Sequence, residues 1–179
     1  MSAILSDKMI KSIVVIFAKY EVEDRLFLFD KIPPTKLKNA RISFASNMGS
    51  DEKVIALHDD TVMGSAKNGF VLTTKRLYHK ESFGRVAFVE IDRIVDLKFR
   101  LGKNASEVDV VATSGIIKVK ILLSKNHEAI FNALREAILL LQNPNAPTQT
   151  SNSTDSTHCN GCGAVGPWAV CEYCGSPMQ

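Results

Sequence analysis

Four cysteines, Cys159, Cys162, Cys171 and Cys174, are the residues whose type and spacing most plainly prescribe chemistry. They are all the cysteines of the 179-residue chain, and they form two Cys-x-x-Cys pairs separated by residues 163–170. Two residues between paired cysteines let both sulfurs reach one ion, and four thiolates complete the tetrahedral shell that zinc prefers. Each pair is followed by a glycine, Gly163 or Gly175, which admits the tight turn that aims backbone N–H groups at sulfur. One structural Zn2+ is therefore expected at these four residues. A closed thiolate shell leaves no position for water, so hydrolysis is not expected there. The competing chemistry is a pair of redox dithiols. The closeness of the two pairs, and the absence of a predicted helix after either, favour the metal. His158 adjoins Cys159 but is not needed as a fifth ligand.

The arrangement resembles a small zinc-ribbon over residues 159–179. So short a segment cannot build a core, and the metal would supply its folding energy. Residues 143–179 contain Asp155 and Glu172 but no Lys or Arg. Phosphate contacts need cations, so nucleic-acid binding through the ribbon is not the leading expectation. Trp168 and Tyr173 offer an aromatic surface for a protein partner, or equally a cover for the metal knuckles.

The rest of the chain must position this tail, and it differs in character. All 22 Lys and Arg fall in residues 1–142, with 17 of the 19 Asp and Glu, so a mildly basic body carries a slightly acidic tail. With 45% hydrophobic and 23% charged residues, the composition excludes a collagen, a coiled-coil rod and a disordered chain. No apolar run approaches the length of a membrane-spanning helix. Asp7 precedes the apolar stretch Ile13–Ala18 and Lys19-Tyr20-Glu21 follows it, which is not the order of a secretion signal. Cysteines clustered at metal spacing point to a reducing, cytoplasmic setting.

Leu5, Met9, Ile13, Phe17 and Tyr20 recur at helical spacing. Pro34 suits the first turn of a second helix reaching about Ser46, with Leu37, Ala40, Arg41 and Phe44 on one face. From Lys53 the pattern becomes strand-like. Strands are expected at 54–57, 69–74, 77–80, 86–91, 94–99, 108–111 and 116–121, with turns at Lys75-Arg76, Gly102-Lys103-Asn104 and Ser114-Gly115. Ser124 can cap a last helix with the stripe Ile130, Phe131, Leu134, Ile138 and Leu141. After Gln142 a Pro-, Ser-, Thr- and Asn-rich stretch reads as a linker. The division is an N-terminal helical extension (1–50), a β-rich domain (51–142), a linker (143–158) and the zinc-ribbon (159–179). Many short antiparallel strands need their edges closed or covered, so a small barrel with one helix plugging an open end is expected.

The stretch Ala56-Leu57-His58-Asp59-Asp60-Thr61, then Gly64 to Tyr78 with its Gly69-Phe70-Val71-Leu72-Thr73 and Arg76-Leu77-Tyr78 strands, resembles bacterial pleckstrin-homology-like and GRAM-like domains. Glu90-Ile91-Asp92-Arg93-Ile94 is similar to their acidic–Ile segment. The resemblance covers residues 51–142. It implies an α+β fold with a small antiparallel barrel and a capping helix. It also implies a scaffold that binds lipids, peptides or proteins without catalysis.

No catalytic constellation stands out. Neighbouring strand residues such as Asp59 and Asp60 point to opposite faces, and one of them is expected to cap a turn. Gly64-Ser65-Ala66-Lys67 lacks the spacing of a phosphate loop. His58, His79 and His127 are isolated in sequence. The cations Lys67, Lys75, Arg76, Lys80 and Arg85 cluster around two strands, at positions that match the lipid-binding loops of pleckstrin-like domains only approximately. A solvated surface is the plainer reading, diluted by Asp59, Asp60 and Glu81. The expectation is a non-enzymatic adaptor: the body docks a protein partner and the ribbon adds a second protein contact. Recognition of anionic lipid by the basic loops is the first alternative, and nucleic-acid binding the second.

Overall fold

The computed structural model describes residues 7–20, 25–102, 106–121 and 126–144, and the backbone of 157–158 and 165–166. The chain divides into two units, residues 1–146 and 147–179.

In the first unit, helix α1 (Asp7–Lys19) buries Ile10, Ile13 and Phe17, one stripe at helical spacing. Strand β1 (Leu26–Leu28) and a 3-10 turn (Phe29–Lys31) lead to α2 (Pro34–Ser43), which has Pro34 in its first turn. Seven strands follow: β2 (Val54–Asp59), β3 (Gly69–Thr73), β4 (Arg76–Lys80), β5 (Val86–Glu90), β6 (Ile94–Leu101), β7 (Ser106–Ala112) and β8 (Gly115–Ile121). Helix α3 (His127–Gln142) closes the unit. Its cap is Asn126, whose side-chain oxygen accepts from the Ala129 N–H at 3.1 Å. Ser124, the expected cap, lies outside the described residues.

The expected closed barrel is not what forms. The strands make two antiparallel sheets, β1-β2-β3-β4-β5 and β6-β7-β8, and among the described residues no pairing joins them. The reason lies at the corner between β5 and β6, where the 3-10 turn Ile91–Arg93 carries the chain from one sheet to the other. The sheets instead pack face to face. Ile55, Phe70, Leu72 and Val89 of the first meet Leu97, Val108, Val110 and Val119 of the second, with α1 and α3 completing this core.

A second core lies on the other face of the larger sheet, where Leu57, Val71 and Tyr78 pack against Ala40, Phe44 and Ala45 of α2 and its C-terminal end. A β-bulge at Val54/Ala56 sets this up. It lets Ile55 and Ala56 both serve the inter-sheet core while Val54 and Leu57 serve the α2 side. Gly69 is required where β2 and β3 meet. Its φ is +126°, and a Cβ there would sit 2.0 Å from the His58 carbonyl oxygen. The free face of the smaller sheet is a charged ladder, in which Arg100 pairs with Asp109 and Lys118 with Glu107.

In the second unit, β9 (Thr157–His158) pairs antiparallel with β10 (Val165–Gly166), with His158 opposite Val165. In sequence, Cys159 and Cys162 fall between these two strands.

Candidate functional site

The antiparallel order of β2 to β5 brings the 60–68 loop and the 81–85 loop to one end of the larger sheet. Asn68 Nδ2 donates to Ser82 Oγ at 3.1 Å and ties the loops together. The end of α2 joins them: Ser43 Oγ donates to the Lys67 carbonyl at 2.7 Å and accepts from Lys80 Nζ at 2.9 Å. Three large apolar side chains project from these loops. Val62 is 80% exposed, Met63 89%, and Phe83 completely. Phe83 also adopts φ +63°, a left-handed conformation that a bulky residue rarely takes.

The five cations singled out in the sequence divide between opposite ends of this sheet. Lys67, Lys80 and Arg85 stand at the loop end. Among the described residues none of the three has a carboxylate partner. Lys75 and Arg76 stand at the far end. Lys75 pairs with Asp51. Arg76 Nη1 donates to the buried Glu52 carboxylate at 2.8 Å, and Glu90 lies 3.7 Å away. Glu52 also accepts from the Thr73 hydroxyl at 2.7 Å and the Tyr78 hydroxyl at 3.1 Å. Arg76 is thus a structural cation, held by an acid that spacing alone did not reveal.

The 60–68 loop is internally satisfied. Asp59 accepts from the Thr61 N–H at 3.0 Å and hydroxyl at 2.5 Å, so one of the two neighbouring aspartates caps a turn, as expected. Burial alone would raise the Asp59 carboxyl, but hydrogen bonds from Lys36 and Thr61 outweigh it and hold the group below its ordinary range. The N–H groups of Ser65 (2.6 Å) and Ala66 (3.3 Å) both point at Thr61 Oγ1. The faintly phosphate-loop-like Gly64-Ser65-Ala66-Lys67 therefore has the N–H groups of Gly64, Ser65 and Ala66 already turned onto Thr61. Arg25 Nη1 is likewise bonded to the Thr61 carbonyl at 2.6 Å, and Lys36 Nζ to Asp59 and the Gly64 carbonyl.

His58 and His79 lie in the interior. His58 is buried and stacked on Phe70 with ring centroids 5.2 Å apart, and among the described residues neither ring nitrogen has a partner. His79 Nε2 faces the Lys120 N–H at 3.3 Å. Burial pushes both down to about 4. His127 Nδ1 lies 2.7 Å from Ser106 Oγ, a hydroxyl–imidazole pair of the kind that activates a nucleophile. Ser106 is completely buried, however, so the pair anchors the start of α3 to β7 and presents no oxygen to a substrate. Among the described residues no group of three or more His, Cys, Asp or Glu could hold a metal ion.

A cavity of about 440 Å³ opens at the end away from Phe83, lined by Thr74, Lys75, Arg76, Glu90, Ile91, Asp92, Leu141 and Gln142. Gln142 Nε2 is tied to the Ile91 and Ile94 carbonyls at 2.8 and 2.6 Å, and the lining holds no nucleophile–base pair. The expected zinc ligands Cys159, Cys162, Cys171 and Cys174, with Trp168 and Tyr173, lie outside the described residues. Among the described residues no helix is long and apolar enough to cross a membrane.

Sequence reasoning missed Val62, Met63 and Phe83. The available signal was their setting: Thr61-Val62-Met63-Gly64 and Ser82-Phe83-Gly84 place large apolar residues inside turn-forming stretches. No protein-family model, no curated protein and no solved structure matches the chain.

Proposed function

We propose that the chain is a non-catalytic binding protein whose β-rich unit docks a partner through the loop end built by residues 60–68 and 81–85. The carrying observation is Phe83, fully exposed on a backbone with positive φ. An apolar ring in water gains nothing for the fold, and its backbone conformation costs about 1 kcal/mol or more. A surface that covers the ring repays both. Seven strands in sequence, arranged in two antiparallel sheets and followed by a C-terminal helix, support the pleckstrin-like reading.

The second unit is proposed as a zinc-ribbon holding one structural Zn2+ at Cys159, Cys162, Cys171 and Cys174. The β9–β10 pairing supports it, because the first cysteine pair falls in the segment between two paired strands. The metal would supply folding energy to this short segment, and the ribbon a second protein contact. Its linker would raise the effective concentration of that contact. The thiolate set belongs in a reducing compartment such as the cytoplasm.

A photo-crosslinking residue at position 83 of the full chain, in its native cell, tests the docking face. Position 116 is the control, because Ile116 is also exposed but lies on the other sheet at the β7–β8 turn. Adducts at 83 and not at 116 are expected. No adduct at 83 would overturn the reading.

A further inference from the structure

We infer that the chain pairs with a second copy of itself along β5, joining two five-stranded sheets into one across a two-fold axis. The inference goes beyond the docking-face reading and needs none of the apolar loop tips. Its first support is an edge left open. β5 is the last strand of the larger sheet, and among the described residues no strand pairs with its outer side. Sheet edges are ordinarily blunted by shortness, bulges or charges. β1, at the other edge of this sheet, has three residues. β6 carries a bulge between Ile94 and Asp96 and exposes Asp96, Lys98 and Arg100. β8 carries Lys118 and Lys120. β5, by contrast, has no proline, keeps an unbroken register with β4, and leaves Val86 49% and Phe88 44% exposed.

The second support is that this edge fits itself. The Ile91 N–H donates to the Lys75 carbonyl at 2.8 Å, so Ala87 and Val89, like Ile91, turn their backbone groups toward β4. Val86, Phe88 and Glu90 turn theirs outward. Antiparallel self-pairing about Phe88 sets outward residues against outward residues. Phe88 then meets Phe88, and Val86 meets Glu90, in hydrogen-bonded pairs. On the face shared with α2, Tyr78 already lies 5.9 Å from Phe88, and the Arg76 guanidinium 5.5 Å from the same ring. Pairing extends this contact into a Tyr-Phe-Phe-Tyr row across the joined strands. Charge agrees with the antiparallel direction. Arg85 precedes β5 and Asp92 follows it. Among the described residues Arg85 has no carboxylate partner and Asp92 no cation partner. Self-pairing carries each Arg85 to the far end of the other strand, next to that copy's Asp92. A foreign strand would fill the same edge, but this self-complementary order of cation, aromatic ring and acid favours the chain itself.

The test is sedimentation velocity of the purified full chain over a range of concentrations, where a reversible monomer–dimer equilibrium is expected. Phe88→Lys and Phe88→Glu each set like charges across the axis and should weaken dimerisation roughly tenfold or more. Because position 88 meets itself, mixing the two variants in equal amounts should restore a dimer. Thermal melts of the variants, taken at a concentration where the parent is monomeric, show that the body still folds. Amide exchange of the parent chain reads the same contact without any substitution. Protection of the outward Phe88 N–H should rise with protein concentration, while that of the inward Val89 N–H stays constant. A parent chain that is monomeric at every concentration would overturn the inference. So would a dimer that both variants leave intact, or a Phe88 N–H whose exchange ignores concentration. Dissociation by both folded variants without rescue in the mixture would overturn the register centred on Phe88. The absence of adducts at position 83 in cells would leave these results untouched, so the two readings fail separately.

Discussion

The Nε2 atom of His79 accepts a hydrogen bond from the backbone N–H of Lys120, 3.3 Å away, and so joins β4 of the larger sheet to β8 of the smaller. Among the described residues no strand pairing crosses between the sheets, so this side-chain bond does what a ladder bond would do in a closed barrel. It requires Nε2 to be unprotonated, because an imidazolium has no acceptor.

Acid should therefore loosen the body in a defined window. His58 and His79 are held at about 4 by burial, against about 6.5 in an unfolded chain. Between these values the unfolded state binds more protons than the folded one, so stability falls as pH falls. It is full above about pH 6.5 and declines toward pH 4, by roughly 3 kcal/mol per histidine. Urea denaturation at a series of pH values checks this. His58→Leu should flatten the slope between pH 6.5 and 5 and leave neutral-pH stability equal or higher, because it replaces a buried ring whose nitrogens are unpaired. An unchanged slope would contradict the assignment.

Glu52 organises the opposite end of the larger sheet. Its carboxylate receives Arg76, Tyr78 and Thr73 in a buried setting. Glu52→Ala leaves Arg76 without its buried partner and should cost about 3 kcal/mol. Tyr78→Phe, which removes one hydroxyl and keeps the ring, should cost about 1 kcal/mol. Chemical denaturation of the two variants should reproduce this order, and crosslinking from position 83 should be unchanged in Tyr78→Phe.

Two glycines with similar φ should respond unequally to alanine. Gly69 (φ +126°) faces the His58 carbonyl oxygen at 2.0 Å from an added Cβ, whereas Gly115 (φ +132°) has open space. Gly115→Ala should cost on the order of 1 kcal/mol from backbone strain. Gly69→Ala must also push β2 from β3, and should cost about 3 kcal/mol or more. Melting temperatures of the two variants settle the comparison.

Zinc and the body should separate cleanly. Cys171→Ser should release the metal, measured with a colorimetric chelator after protein digestion, while the melt of residues 1–146 stays in place. A body that melts together with zinc loss would contradict the two-unit division.

Much of the fold was legible in the residues, and the failures have physical causes. The strands of the smaller sheet alternate in sequence because one face meets the core and the other carries the exposed Lys98, Arg100 and Lys118, although Asp109 on that face is buried. Strand β2 does not alternate, because α2 covers its second face and a bulge shifts its phase; all six of its residues are buried. β1 escaped because three residues carry no period. The division into two sheets depends on the 3-10 corner at Ile91–Arg93, whose residues read equally well as a strand end. The basic cluster looked continuous because Lys67 to Arg85 are close in sequence. Yet five-residue strands place the two ends of a hairpin roughly 16 Å apart, and the cations sort between them. Phe83 and Met63 went unnoticed because an apolar residue in a sequence reads as core until its loop is placed.

The most direct test of the central claim is an environment-sensitive fluorescent amino acid encoded at position 83, compared with the same residue at position 116, in the full chain in its native cell. A blue shift at 83 relative to the purified chain, absent at 116, is the predicted result. No shift at 83, or equal shifts at both positions, would contradict the claim that the Phe83 loop end is the docking face.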